Sequence, residues 1–358
     1  MVKSLRKPLL ISLATVVVVI SGVIGLLAID QHTGPATEPT PEPTTSSTPS
    51  SLTGIGVYAF TAGLQYVDNP STVISDLKSS RFQPEGIDWV VVGWRVIEPS
   101  QGQYDWTTLD KDLTAARSAG YRSIVEVIPG VDDPGWALAQ CPVVSVTLGG
   151  TGETASICVP TSPQFLALWT QMITAFGQHL HGQPDLTMVQ ATGCGVQGEM
   201  QLPNHNAAFW AGYGVNSSTL LSAWERVISA WRTALPSIPS ALAIEEPLGA
   251  GNSTVLQPLL SYVREQFGAM VWVQQNGLRD GTKTSPGSYG GDLAEASQWT
   301  TVGWQMYGAG ARNGNFALAV GGGLPAHPTY YEIYLSDILN ASVAPTLGQL
   351  KAGTLAPS

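Results

Sequence analysis

Residues 90–106 read VVVGWRVIEPSQGQYDW, and this stretch decides the predicted fold. Its first part is an apolar run, which is typical of a strand buried on both faces in a parallel sheet. The run leads into Trp94 and Arg95, and then through Glu98 and a Gln-Gly turn to the start of a helix. In parallel α/β barrels, the residues that follow the strands build the active site. The stretch therefore predicts a barrel strand that brings Trp94 and Arg95 to such a site.

The rest of the chain repeats this organisation. Short apolar runs alternate with amphipathic helical patterns, which is the signature of successive βα units. We count eight units and predict an α/β fold, a single (β/α)8 TIM barrel, over residues 52–358. The predicted strands are residues 54–60, 89–95, 123–128, 187–192, 241–245, 270–274, 301–306 and 331–335.

The N-terminal residues predict a membrane segment that is separate from the barrel. Three basic residues precede an apolar run over residues 8–29. A run of about 20 apolar residues matches the thickness of a bilayer, and the residues before Asp30 do not form a small-x-small cleavage site. We therefore predict that residues 1–29 are a transmembrane signal-anchor in preference to a cleaved signal peptide. The basic residues precede the span, so the remainder would be exported to the cell surface or secreted.

Two further features accompany this export signal. Residues 30–51 are rich in Pro, Thr and Ser, which predicts a disordered linker that holds the barrel away from the membrane. Cys141 and Cys158 bracket a Gly- and Thr-rich insertion and are expected to form a disulfide in an exported protein. Cys194 is then left without a partner.

The composition excludes several classes of function. Charged residues make up only 12% of the chain and the net charge is −10, so a nucleic-acid partner is not expected. The five histidines are scattered without metal-ligand spacing, so neither a metal nor another cofactor is expected. Eleven Trp and eleven Tyr residues offer flat faces that suit sugar rings. A carbohydrate ligand is therefore the expected partner, besides the membrane contacted by the N-terminal segment.

Candidate site residues lie at the predicted strand ends. Glu199 follows the fourth strand in the glycine-rich turn GCGVQGEM and is the candidate general acid/base. Glu332, in the eighth strand, is the candidate second carboxylate, because glycoside hydrolysis requires a pair. Glu245 and Glu246 are adjacent, so only one of them can face the cleft, and Glu245 is taken as a binding residue. The proposed sugar-stacking residues are Trp94, Trp304 and Tyr307, and the proposed hydrogen-bonding residues are Arg95, Asn276 and Gln305. Glu98 is interpreted as part of a turn.

Residues 94–120, WRVIEPSQGQYDWTTLDKDLTAARSAG, resemble a segment of barrel glycoside hydrolases. The segment reads W-x-x-x-E-P-x-x-G-x-Y-D-W/F, followed by a helix ending in Ala-x-x-x-Gly, in the large retaining clan and particularly in its beta-galactosidase-like members. The resemblance implies a (β/α)8 barrel with an acid/base Glu at the end of strand four and a nucleophilic Glu at the end of strand seven. Glu199 matches the former, although Gly198 replaces the usual Asn. Arg95 matches the clan's strand-two arginine.

The strand-seven position departs from the clan. In TTVGWQMYG, Gln305 stands where the nucleophile is expected, and an amide can neither form a glycosyl ester nor supply a negative charge. Three alternatives remain open. The nucleophile is supplied from elsewhere, with Glu332 and Glu245 as candidates; the enzyme inverts or uses a group of its substrate; or the domain binds sugar without cleaving it.

The sequence as a whole favours an exported, membrane-anchored glycoside hydrolase that acts on an oligo- or polysaccharide. Its expected catalytic residues are Glu199 and Glu332. The alternative, motivated by Gln305, is a catalytically silent carbohydrate-binding pseudoenzyme at the cell surface. A cell-surface scaffold is a third hypothesis, which only the anchor and the linker suggest.

Overall fold

The computed structural model describes residues 54–61, 69–148, 152–203, 206–249 and 254–358. The predicted membrane segment and linker lie outside these residues. Within them, no helix is both long enough and apolar enough to cross a bilayer.

Eight parallel strands close into a barrel. The described strands are β1 (Gly56–Phe60), β2 (Gly86–Gly93), β3 (Arg122–Ile128), β4 (Val143–Thr147), β5 (Thr154–Cys158), β6 (Leu186–Gln190), β7 (Ser240–Ala243), β8 (Val271–Leu278), β9 (Val302–Met306) and β10 (Tyr330–Tyr334). The barrel follows the order β1-β10-β9-β8-β7-β6-β3-β2, while β4 and β5 form a separate antiparallel hairpin. The predicted TIM barrel is thus confirmed, and each of its eight predicted strands overlaps a strand of the barrel.

Helices connect the strands. The described helices are α1 (Pro70–Ser79), α2 (Trp94–Ile97), α3 (Thr107–Ala119), α4 (Gly135–Leu138), α5 (Pro163–Leu180), α6 (Ala207–Ala211), α7 (Ser217–Ala234), α8 (Leu256–Gln266), α9 (Tyr289–Ala296), α10 (Phe316–Gly323), α11 (Leu335–Leu339) and α12 (Ala344–Lys351). Local sequence sets where the long ones begin. Ser162 caps α5 ahead of a proline in its first turn, and Asn216 forms a capping box with Thr219 at the start of α7.

The inside of the barrel is layered. Its packed apolar layer consists of the buried side chains Tyr58, Ile124, Met188, Ala241, Trp272 and Tyr330. Alternation along each strand places residues two positions further on the same side, nearer the C-terminal ends. These residues include Glu126, Gln190, Gln274 and Glu332, all of which are buried. The barrel interior is therefore apolar in one layer and polar in the next, towards the mouth.

Gln305 lies on the seventh barrel strand, β9, as predicted. A Cβ at Gly303 would lie 2.1 Å from the ring of Tyr330, so position 303 faces the barrel interior. Gln305 is two residues further along and faces the same side. The strand count that places Gln305 on the seventh barrel strand therefore agrees with the structure.

The predicted second strand is wrong at its end. β2 stops at Gly93, where a Cβ would lie 2.1 Å from the carboxyl carbon of Asp132, and Trp94 begins the short helix α2. Arg95 therefore lies on a helix, with 61% of its side chain exposed and an ion pair to Asp132 at 2.8 Å. Glu98 accepts hydrogen bonds from the Trp94 indole and the Gly102 backbone, both at 2.7 Å, so its predicted role in the turn fits.

The predicted disulfide between Cys141 and Cys158 is present. It joins Cys141, two residues before β4, to Cys158, the last residue of β5, and the two strands pair from Val143 with Cys158 to Thr147 with Thr154. Buried Asp133 accepts a hydrogen bond from the Cys158 backbone at 2.8 Å, which ties the hairpin to the loop after β3. Cys194 is buried and not disulfide-bonded.

Candidate active site

A cavity of about 410 Å³ opens at the C-terminal ends of β6, β7 and β8. Two carboxyl side chains, Glu199 and Glu245, line it together with Asn276. Its other described lining residues include Gln201, Arg279, Lys283, Tyr289 and Tyr307. Among the described residues, no three His, Cys, Asp or Glu side chains are grouped so that they could hold a metal ion.

The glycines before Glu199 allow the tight turn that brings this residue to the cavity. A Cβ on Gly195 would lie only 1.4 Å from the backbone oxygen of Glu199, so no larger residue fits there. Gly198 has a φ of +86°, a left-handed conformation that glycine adopts without strain. The backbone N–H of Gly193 also donates to the Gly198 carbonyl at 2.6 Å, which closes the turn. The sequence GCGVQGEM is thus the physical reason why Glu199 reaches the mouth of the barrel.

Glu199 accepts a short hydrogen bond inside the cavity. The side-chain amide of Asn276 donates to its Oε1 at 2.6 Å. Burial raises the pKa of Glu199, and the amide partly offsets this rise because donation stabilises the ionised form. Asn276 therefore favours the charged state of this carboxyl.

Glu245 lines the same cavity, whereas Glu246 faces away from it, as their adjacency predicts. The Glu246 carboxylate lies near the start of α8, where the Leu256 backbone donates to it at 3.4 Å. Burial and, second to it, the charge of Glu199 raise the pKa of Glu245 to about 7. The Gln201 amide lies 3.5 Å from Glu245, at the limit of a hydrogen bond. The contact of Gln201 with Glu245 is thus weaker than the hydrogen bond that Glu199 receives from Asn276.

A chain of amide groups runs from Glu199 down into the barrel. The Gln274 amide nitrogen donates to the Asn276 side-chain oxygen at 2.8 Å and to Glu332 at 2.7 Å. The Gln274 oxygen accepts a hydrogen bond from the Tyr330 hydroxyl at 2.7 Å. This fixes the orientation of Gln274 and in turn leaves the Asn276 nitrogen free to donate to Glu199. Glu332 is therefore connected to Glu199 by hydrogen bonds that pass through Gln274 and Asn276.

Part of the chain, from residue 71 to residue 209, resembles a known family. Residues 71–209 match the model of the beta-galactosidase family of glycoside hydrolases. The matched residues include both the segment that carries the predicted resemblance and Glu199. The resemblance to barrel glycoside hydrolases is thereby confirmed. Comparison with curated proteins gives no match.

Solved glycoside hydrolases share the fold. The catalytic domain of the beta-amylase from Paenibacillus polymyxa aligns with a TM-score of 0.60 and 11% identity, covering 86% of this chain and 100% of that chain. The cold-adapted beta-galactosidase from Rahnella sp. R3 aligns with a TM-score of 0.54 and 12% identity, covering 86% of this chain and 57% of the galactosidase. At such identities these alignments show the barrel fold alone.

The structure places Glu332, the predicted second catalytic carboxylate, away from the described lining of the cavity. Its side chain is fully buried, and it is not among the described residues that line the cavity. Hydrogen bonds from Gln190, at 3.0 Å, and Gln274 hold it inside the barrel. The cause is its place in the middle of β10, level with Tyr58 of β1 and below the strand ends.

Of the predicted substrate-binding residues, three are not among the described lining residues of the cavity, and a fourth, Trp304, borders it with a buried ring. Trp94 is fully buried among aromatic rings and donates to Glu98, so it offers no face to a sugar. Trp304 borders the cavity, but its ring is fully buried and donates to the Gly323 carbonyl at 3.0 Å. Gln305 is buried, and neither it nor Arg95 is among the described lining residues.

Four predicted binding residues line the cavity, namely Glu245, Asn276, Tyr307 and, with its ring buried, Trp304. Half of the Tyr307 surface is exposed, which suits the stacking role that the sequence predicts. The sequence prediction lacks the loop after β8, whose residues Arg279, Lys283 and Tyr289 also line the cavity. Its signal is the polar run RDGTKTSPGSY directly after a barrel strand, where such enzymes place their functional loops.

Proposed function

We propose that this protein hydrolyses O-glycosidic bonds of an oligo- or polysaccharide, with Glu199 and Glu245 as its reacting carboxyls. The observation that carries the proposal is the presence of these two carboxyls in one cavity at the C-terminal end of a barrel. Hydrolysis of a glycoside requires one acid that protonates the leaving oxygen and one carboxylate that either attacks the sugar or activates a water molecule. Glu245 thus takes the place that the sequence prediction gave to Glu332.

The two environments favour different protonation states. Glu199 accepts the 2.6 Å hydrogen bond from Asn276 and serves as the ionised member. Glu245, with its pKa raised to about 7, carries the proton and serves as the general acid. The clan resemblance alone would give the proton to Glu199. The local contacts favour the opposite assignment, because the amide stabilises the charge on Glu199, and that charge in turn disfavours a second one on Glu245.

The location of the substrate is part of the proposal. The signal-anchor predicted for residues 1–29 would export the barrel, and a disulfide such as that between Cys141 and Cys158 persists in an oxidising compartment. Both favour a carbohydrate at the cell surface or outside the cell. Tyr307 and Tyr289 provide aromatic surface in the cavity for its sugar rings.

A substrate screen tests the proposal. The full-length protein is incubated with aryl glycosides of differing sugar and anomeric configuration, and with plant and bacterial polysaccharides. Release of the aryl group or of reducing sugar is measured, and we expect turnover of at least one of them. The same ligands are titrated in a binding assay with the same protein. Binding without any turnover would instead favour the carbohydrate-binding pseudoenzyme that the amide at Gln305 motivates.

A further inference from the structure

Two cations face the same cavity as the carboxyl pair. Arg279 and Lys283 lie in the loop between β8 and α9, and both side chains are exposed. Neither forms an ion pair with another described residue. The guanidinium of Arg279 lies 4.7 Å above the ring centre of Tyr307, which itself lines the cavity. The loop therefore adds two uncompensated positive charges and an aromatic surface to a site with two carboxyls.

The loop that carries these cations is held by its own hydrogen bonds. The Arg279 backbone donates to the Thr282 hydroxyl at 2.9 Å, and the Ser288 hydroxyl donates to the Lys283 carbonyl at 3.0 Å. A Cβ on Gly290 would lie 2.3 Å from that same carbonyl oxygen, so the loop packs directly on the start of α9. The two cations are thus presented to the cavity from a fixed backbone.

The acidic groups near the loop do not neutralise the cations. Asp280 accepts a hydrogen bond from the Asn315 backbone at 3.3 Å. Glu199 and Glu245 line the cavity; burial and the Asn276 amide shift the pKa of Glu199, and burial and the charge of Glu199 shift the pKa of Glu245, with neither cation among these causes. Two cations and two carboxyls thus line one cavity.

We propose that this cavity binds a sugar unit that bears an anionic group, a uronate carboxylate or a sulfate ester, through Arg279 and Lys283. A guanidinium donates two parallel hydrogen bonds to a planar carboxylate or to two oxygens of a sulfate, and a lysine adds a point charge. The ring of the same sugar can lie on Tyr307. The inference rests on the proposed function, since it names the substrate class of that site.

Binding to chemically neutralised carbohydrates tests this inference apart from hydrolysis. The probes are oligomers of polygalacturonate, hyaluronan and chondroitin sulfate, each compared with its carboxyl-reduced form and, for the last, its desulfated form. Affinity is measured by calorimetry on the full-length Glu199→Gln protein, in which turnover does not complicate the signal. We expect one acidic probe to bind at least about tenfold more tightly than its neutralised form. A loss of affinity on carboxyl reduction identifies a uronate as the recognised group, and a loss of affinity on desulfation identifies a sulfate ester.

Paired variants assign the effect to the loop. Arg279→Gln with Lys283→Gln is expected to weaken binding of the acidic probe about tenfold or more and to leave its neutralised form unaffected. The control pair Lys78→Gln with Arg226→Gln removes the same charge from exposed positions on α1 and α7 and is expected to change neither. Equal affinity for acidic and neutralised probes, no binding of any acidic probe, or an unaltered Arg279/Lys283 variant would overturn the inference. Each of these outcomes would leave the proposed function in place, because hydrolysis is measured separately in the substrate screen.

Discussion

Replacing Glu199 or Glu245 with glutamine is expected to lower kcat/KM on any cleaved glycoside by at least about 10³-fold. Glutamine keeps the shape of the side chain but can neither donate the acid proton nor carry the negative charge. Both residues line one cavity, and the charge of Glu199 contributes to the raised pKa of Glu245. Because the two carboxyls act as a unit, the double variant should lose little more than either single variant. Steady-state kinetics of the four proteins on the best substrate from the screen measure this.

Glu246 provides a matched control for this experiment. It is adjacent to Glu245 in the chain, yet its carboxylate lies by the Leu256 backbone at the start of α8. Glu246→Gln makes the same chemical change one residue away from the cavity, and we expect activity within about threefold of the original protein. A loss in Glu246→Gln as large as that in Glu245→Gln, or full activity in Glu199→Gln, would contradict the assignment of the carboxyl pair.

The free energy of unfolding is expected to decrease as the pH rises from about 4 to about 7. Asp88 is fully buried beside Glu332, and burial raises the pKa of Asp88 to about 7 from an ordinary value of 3.8. The pKa of Glu332 and that of Glu126 are raised as well, in each case by burial first and then by neighbouring carboxyls including Asp88. None of the three forms an ion pair with another described residue. The folded state therefore favours the protonated forms of these three carboxyls.

The direction follows from proton binding. Between pH 4 and pH 7 the unfolded chain releases the Asp88 proton while the folded protein retains it. The contribution of Asp88 to the free energy of unfolding is therefore full below about pH 4 and is lost by about pH 7. A difference of about three pKa units corresponds to on the order of 4 kcal/mol for this group. Urea unfolding at pH 4.5 and pH 7.5 measures the change. Asp88→Asn should reduce the difference, while Asp76→Asn on α1 should not; equal stability at both pH values would contradict the account.

The sequence predicts the barrel well because each strand is a local signal. Apolar runs followed by polar turns mark all eight strands, and the glycines around Glu199 mark the one turn that brings a carboxyl to the mouth. The sequence does not predict how deep a side chain lies in the barrel, because this depth depends on the register between strands. Glu332 and Glu245 both lie in predicted strands, yet the pairing of β10 with β1 buries Glu332 while Glu245 reaches the cavity. The spacing of residues along the sequence does not determine that register.

Trp94 and Arg95 illustrate a second limit. Their local sequence continues the strand, and nothing in it reveals that Asp132 occupies the space beside Gly93. This contact comes from a loop almost forty residues further on, and it accompanies the turn from strand to helix that removes both residues from the cavity. A tertiary contact thus overrides the local pattern at the position where the resemblance to the clan is strongest.

In the proposed mechanism one cavity carboxyl, Glu245, is protonated near neutral pH because of its burial and, second to this, because the nearby Glu199 is ionised. Carbon-13 NMR titration of labelled glutamate side chains tests this directly, with the Glu245 signal assigned by its loss in Glu245→Gln. We predict a Glu245 pKa of about 7 in the original protein and a lower pKa in Glu199→Gln, because the second cause of the rise is then absent. A Glu245 carboxyl that titrates near its ordinary value of 4.5, with or without Glu199, would contradict the claim.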